Sequence, residues 1–152
     1  MREEKVTINI LNWLEEENWR IISYDFPQSG TGIILHPNSS VSSNSKNEGS
    51  VIPDIIAVKG KKAVFFENKD RYVENDFKKI RKIKSEDLYS DSLNKLLAPF
   101  LIEVIYYGIG IPSIDIEIEK SIADIEGIDF LISVNIDGSI NVNSDILNVF
   151  SS

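Results

Sequence analysis

At 152 residues the chain fits one domain, long enough to bury a core without disulfides or a structural metal. It has no cysteine and one histidine, His36, which excludes a disulfide framework, a thiolate metal site and a multi-histidine zinc site. No stretch of about eighteen apolar residues exists and the opening M-R-E-E-K lacks a signal-peptide core, so a soluble, cytoplasmic chain with no membrane partner is expected.

Residues 3–19 place Val6, Ile10, Trp13 and Leu14 at helical spacing, with Glu15, Glu16 and Glu17 on the solvent side, which predicts an amphipathic helix. Residues 20–26 follow as a strand on the β-favouring Ile21, Ile22, Tyr24 and Phe26. From 27 to 50 the chain is dominated by Ser, Asn, Gly and Pro, broken only by Ile34-Leu35, and a polar connection of that length reads as a mobile loop. Residues 51–58 form an apolar strand, 59–62 a turn around Gly60, and 63–66 a second strand, so the pair makes a hairpin. Helix is expected over 72–84 and again over 91–97, ending near Pro99. Residues 100–109 read as a strand buried on both faces. Over 113–127 the isoleucines fit two periods; helix is favoured, closed by Gly127. Residues 128–136 and 139–142 make a hairpin about Asp137-Gly138. The result is a single α/β domain over 1–152, a mixed central sheet flanked by helices, in the order α-β-loop-β-β-α-β-α-β-β.

The stretch V-I-P-D-I-I-A-V-K-G-K-K-A-V-F-F-E-N-K carries the chemistry. Asp54 lies early in one hairpin arm and Glu67 late in the other, so antiparallel pairing sets them side by side. Lys69, two residues beyond Glu67, shares its face. Two opposed carboxylates repel unless a cation sits between them, and a hard divalent ion with oxygen ligands is the natural occupant. The net charge of −8 argues against a polyanionic partner, but it is uneven. Residues 59–84 hold ten Lys/Arg against four acids, a local +6 that leaves −14 elsewhere, so the basic cluster lies beside this motif.

Pro53, Asp54, Glu67 and Lys69 together resemble the motif of the PD-(D/E)xK nuclease superfamily, and the element order resembles its αβββαβ core, with a C-terminal helix and β-hairpin added. The resemblance implies a restriction-endonuclease-like fold and a divalent-metal-dependent endonuclease acting on DNA. Asp54 and Glu67 would bind Mg²⁺, with Mn²⁺ as a substitute; the Asn68 carbonyl would complete the shell and Lys69 would position or activate the attacking water. Some branches, notably the archaeal Holliday-junction resolvases, add an acid from the first helix, and Glu3 is placed for that role because it shares a face with Val6, Thr7, Ile10 and Leu14. Glu3 and Glu4 also complement the helix dipole. Ser29 and Gly30 resemble the S-G loop of the same resolvases, where small residues let the backbone approach phosphate. Arg71, Lys78, Arg81 and Lys82 are the expected phosphate contacts, with Lys79 set to one side of the helix. His36 reads as a loop histidine. Cutting two strands calls for two sites related by a two-fold axis, so a homodimer is expected. A Holliday-junction resolvase and a catalytically silent nucleic-acid-binding module of the same fold are the alternatives.

Overall fold

The computed structural model describes residues 1–25, 32–38 and 49–151. Ser29, Gly30 and most of the 27–50 loop lie outside the described residues. Among the described residues, six strands form one sheet in chain order: β1 (Arg20–Tyr24), β2 (Ile55–Lys59), β3 (Lys62–Asn68), β4 (Val104–Pro112), β5 (Phe130–Val134) and β6 (Ile140–Ser144). Pairing is antiparallel through β1, β2 and β3, parallel from β3 through β4 to β5, and antiparallel again to β6. The helices α1 (Glu3–Glu16), α2 (Glu74–Glu86), α3 (Ser90–Leu97) and α4 (Asp115–Ala123) of the described residues complete a mixed α/β arrangement, with a 3₁₀ turn over Ala98–Phe100. Among the described residues no helix is long and apolar enough to cross a membrane.

The sheet separates two apolar layers. Val6, Ile10 and Leu14 of α1 pack with Ile55, Val64, Phe66, Phe130 and Ile132 on one face. Phe77, Ile80 and Ile83 of α2 and Leu93 and Leu97 of α3 pack with Ile56, Phe65, Ile109 and Leu131 on the other. β3 is therefore buried on both faces, as its uninterrupted apolar run requires.

Several boundaries differ from the sequence expectation. The first helix stops at Glu16 instead of residue 19, because Asn18 turns left-handed at φ 68° and redirects the chain into β1. The hairpin's first arm starts at Ile55 and not at residue 51: Val51 instead bridges Leu35, and Pro53 has no N–H to give a ladder. β4 starts four residues later than expected, since Ala98–Phe100 coil into the 3₁₀ turn and Leu101 sits left-handed at φ 54°.

Gly108 and Gly110 lie inside β4, where glycine usually weakens a strand. Here close approach demands it. A Cβ on Gly108 would fall 2.2 Å from the Phe130 ring, and one on Gly110 would fall 2.4 Å from Asn68 Oδ1 and 2.5 Å from Ile10 Cδ1. Phe130 is itself wedged against Phe66 and Phe150, with ring centroids 4.7 and 4.9 Å away, so it cannot swing aside. Gly108→Ala should cost about 1–3 kcal/mol of unfolding free energy by overpacking. Urea denaturation checks it; a midpoint equal to wild type would show that the ring has room to move.

Candidate active site

The β2–β3 register aligns Ile55 with Phe66, which puts Asp54, just ahead of β2, opposite Glu67 near the end of β3. Three main-chain contacts hold this junction. The Asp54 N–H donates to Phe66 O at 3.1 Å, the Asn68 N–H donates to Asp54 Oδ2 at 2.7 Å, and the Lys69 N–H donates to Gly110 O at 2.9 Å. Strand alternation then sorts the side chains. Asp54, Glu67 and Lys69 follow the parity of Ile56 and Phe65 and face α2, whereas Asn68 follows Phe66 and faces α1. The group lies at the carboxyl ends of parallel β3 and β4, the usual position for sites on such sheets.

Both carboxylates are nearly enclosed, Asp54 at 9 % and Glu67 at 7 % relative exposure. Burial raises the Asp54 carboxyl well above its ordinary range, to about 8, and the neighbouring Glu67 charge adds to this, with the Asn68 N–H working against it. Burial raises Glu67 as well, opposed chiefly by Lys79. Lys79, on α2, donates from Nζ to Glu67 Oε1 at 3.1 Å. At Lys69 burial opposes the charge, but the carboxylates of Asp76, Glu3, Glu67 and Asp54 outweigh it and its pKa is raised. Lys69 Nζ stands 4.0 Å from Asp76 Oδ2. Glu3, at the start of α1, is half-buried; its carboxyl is raised by burial, with Lys69 the first of the charges acting on it. It therefore stands within electrostatic reach of the same cluster.

Asn68 plays two parts. Its amide donates from Nδ2 to Thr7 Oγ1 at 3.0 Å, tying α1 to the end of β3, while Oδ1 is buried with no partner. Its main-chain N–H points to Asp54, and the N–H and C=O of one strand residue point the same way, so the Asn68 carbonyl also turns to the Asp54 side. Among the described residues, no three His, Cys, Asp or Glu side chains converge closely enough to cage a metal ion.

The expected phosphate contacts are dispersed. Arg71 is exposed and paired with Asp70 at 2.8 Å; Lys78 is exposed and paired with Glu74 at 3.0 Å. Arg81 turns the other way, reaching Asp124 Oδ1 at 2.9 Å and Asp124 O at 2.9 Å, and so ties α2 to the end of α4. Lys82 is exposed. His36 lies in the 32–38 segment, its Nδ1 3.1 Å from Ser50 Oγ. Sequence reasoning missed Asp76 and set Lys79 aside, yet α2 brings both to the carboxylate face.

Raised carboxyl pKa values carry a stability consequence. Between the ordinary Asp value of 3.8 and about 8 the metal-free folded chain holds a proton on Asp54 that the unfolded chain has released. Stability should therefore fall as pH rises through that window, with Glu67, Glu3 and Asp76 acting in the same direction. Thermal melts in EDTA from about pH 5 to about pH 8 should show the decline. Stability that rises over this window would contradict the burial assigned to these carboxyls.

Comparison with protein-family models, with curated proteins and with solved structures finds no match to this chain, so the reading of the site rests on its own residues.

Proposed function

We propose that the protein is a divalent-metal-dependent endonuclease that hydrolyses DNA phosphodiester bonds on a restriction-endonuclease-like frame. The observation that carries this reading is the pair Asp54 and Glu67, side by side and nearly enclosed, with Lys69 on the same face. The strand order supports the frame: a helix, three antiparallel strands, a helical segment, then a parallel strand, as in an αβββαβ core.

The donor set suits Mg²⁺. That ion keeps several waters and takes only one or two carboxylates from the protein, so a three-acid cage is not required. Asp54, Glu67 and the Asn68 carbonyl would hold the ion. When bound, it would supply Lewis acidity toward the phosphoryl oxygens and a lowered pKa for its water. Lys69 remains cationic in this setting and acts as a hydrogen-bond donor, orienting the attacking water or meeting charge that develops on a phosphoryl oxygen. The Asn68–Thr7 bond fixes the first helix against this strand end.

A second reading within the class is a Holliday-junction resolvase, favoured by the reach of Glu3 to the Lys69 cluster. Incubation with supercoiled, linear and four-way-junction DNA, with and without Mg²⁺, separates the possibilities. Mg²⁺-dependent cuts in duplex support the first, paired cuts at the junction alone support the second, and binding without cleavage marks a silent module. A homodimer, one site per strand, completes the proposal.

The cations on α2 should divide by their contacts. Lys78→Gln and Lys82→Gln should each flatten the salt dependence of DNA binding by about one unit of log–log slope, since each lost phosphate contact releases about one fewer counterion. Arg81→Ala should leave the slope unchanged and instead lower stability by about 1–2 kcal/mol, because it removes hydrogen bonds to Asp124. Fluorescence anisotropy across salt concentrations reads the slopes; unchanged slopes for both lysines would move the DNA face off α2.

A further inference from the structure

We infer that Asp76 is a positioning residue that holds the Lys69 ammonium on the carboxylate face of the sheet. Its catalytic consequence rests on the nuclease reading; the pairing itself does not. Asp76 stands in the first turn of α2, on the side that buries Phe77, Ile80 and Ile83. An acid at that position ordinarily faces solvent and complements the helix dipole, or bonds back to the cap N–H. Asp76 does neither. It is only 8 % exposed and its Oδ2 is buried without a hydrogen-bond partner.

A buried carboxylate oxygen without a donor costs free energy, so its presence calls for an explanation. Lys69 Nζ, 4.0 Å away, is the cation that supplies one. The two are each other's leading electrostatic partner: Lys69 is the strongest charge acting on Asp76, and Asp76 the strongest acting on Lys69. Lys79, the other ammonium near this acid, is engaged by Glu67 at 3.1 Å. Lys69 is also pinned at its main chain by Gly110 O, which confines its side chain to the strand end. An ammonium held in this way loses less conformational freedom on meeting a phosphoryl oxygen, and a misplacement of about 1 Å at such a group can cost on the order of 10²-fold in rate.

The test uses the full chain labelled with ¹³Cε-lysine, the Lys69 signal being assigned by its loss in Lys69→Arg. Asp76→Asn should move the Lys69 signal while leaving the melting temperature equal or higher, since an unsatisfied buried charge is removed. Single-turnover cleavage should fall about 10- to 100-fold with Mg²⁺ half-saturation and DNA affinity unchanged. Asp76→Glu should restore the rate to within a few-fold. An unmoved Lys69 signal overturns the inference, as does wild-type cleavage by Asp76→Asn. Loss of the fold in Asp76→Asn also overturns it, because that marks a structural acid. A wild-type protein that cleaves no DNA, with the Lys69 signal still moving in Asp76→Asn, retires the nuclease reading and upholds the pairing.

Discussion

Asp54→Asn and Glu67→Gln should each lower Mg²⁺-dependent cleavage by roughly 10³-fold or more, the effect of losing several kcal/mol of charge stabilisation, while DNA binding stays equal or tightens. The amides are better choices than alanine. Asp54 Oδ2 accepts the buried Asn68 N–H at 2.7 Å, so alanine would strand that donor at a cost of about 1–3 kcal/mol and confuse fold with function. Asparagine keeps an acceptor oxygen, and glutamine keeps one for Lys79. Each amide is a neutral group at a position where burial already disfavours the carboxylate anion, so the metal-free protein should be no less stable than wild type near neutral pH. Tighter DNA binding follows because one negative charge beside the phosphate has gone. Single-turnover cleavage and anisotropy on the same samples give both readouts. Cleavage at the wild-type rate by Asp54→Asn would remove Asp54 from the site, and a lost fold in either amide would make the pair structural.

The hairpin that sets this pair was legible because its signals are local. Gly60 marks the turn, β-favouring runs flank it, and alternation fixes which side Glu67 and Lys69 share. Asp76 and Lys79 were not legible, for two physical reasons. Their approach to Glu67 and Lys69 depends on how α2 rotates against the sheet, which is set by Phe77, Ile80 and Ile83 finding partners on strands far off in sequence. Each also resembles an ordinary helix residue: Asp76 a dipole-complementing acid, Lys79 a lysine at the edge of an apolar stripe whose stem lies over the core. Arg81 shows the converse. It reads as a phosphate contact until the fold supplies Asp124, 43 residues away, as its partner. The late start of β4 has a similar cause, because Phe100 to Ile102 are as apolar as a strand, and the 3₁₀ turn ending at Phe100 and the left-handed Leu101 keep them out of the sheet.

Lys69→Ala separates metal binding from chemistry on one residue. Lys69 shares the face of Glu67 but, as a cation, is no ligand, so Mg²⁺ or Mn²⁺ affinity measured calorimetrically should stay within a few-fold of wild type. Single-turnover cleavage should fall by about 10²- to 10³-fold, the usual cost of removing one donor aimed at developing charge. Arginine should not rescue it. A planar guanidinium is broader than an ammonium, and the space it would enter is bounded by Asp76 at 4.0 Å and by the Glu67 carboxylate that Lys79 already engages. The main-chain bond from Lys69 to Gly110 persists in every variant at this position, so the fold gives no reason for the rate to change; a large loss therefore reports the ammonium itself. If Lys69→Ala turns over at nearly the wild-type rate, the lysine is an ordinary charge at a strand end. Asp54 and Glu67 would then be two buried acids without their chemical partner, and the nuclease assignment would fall with it.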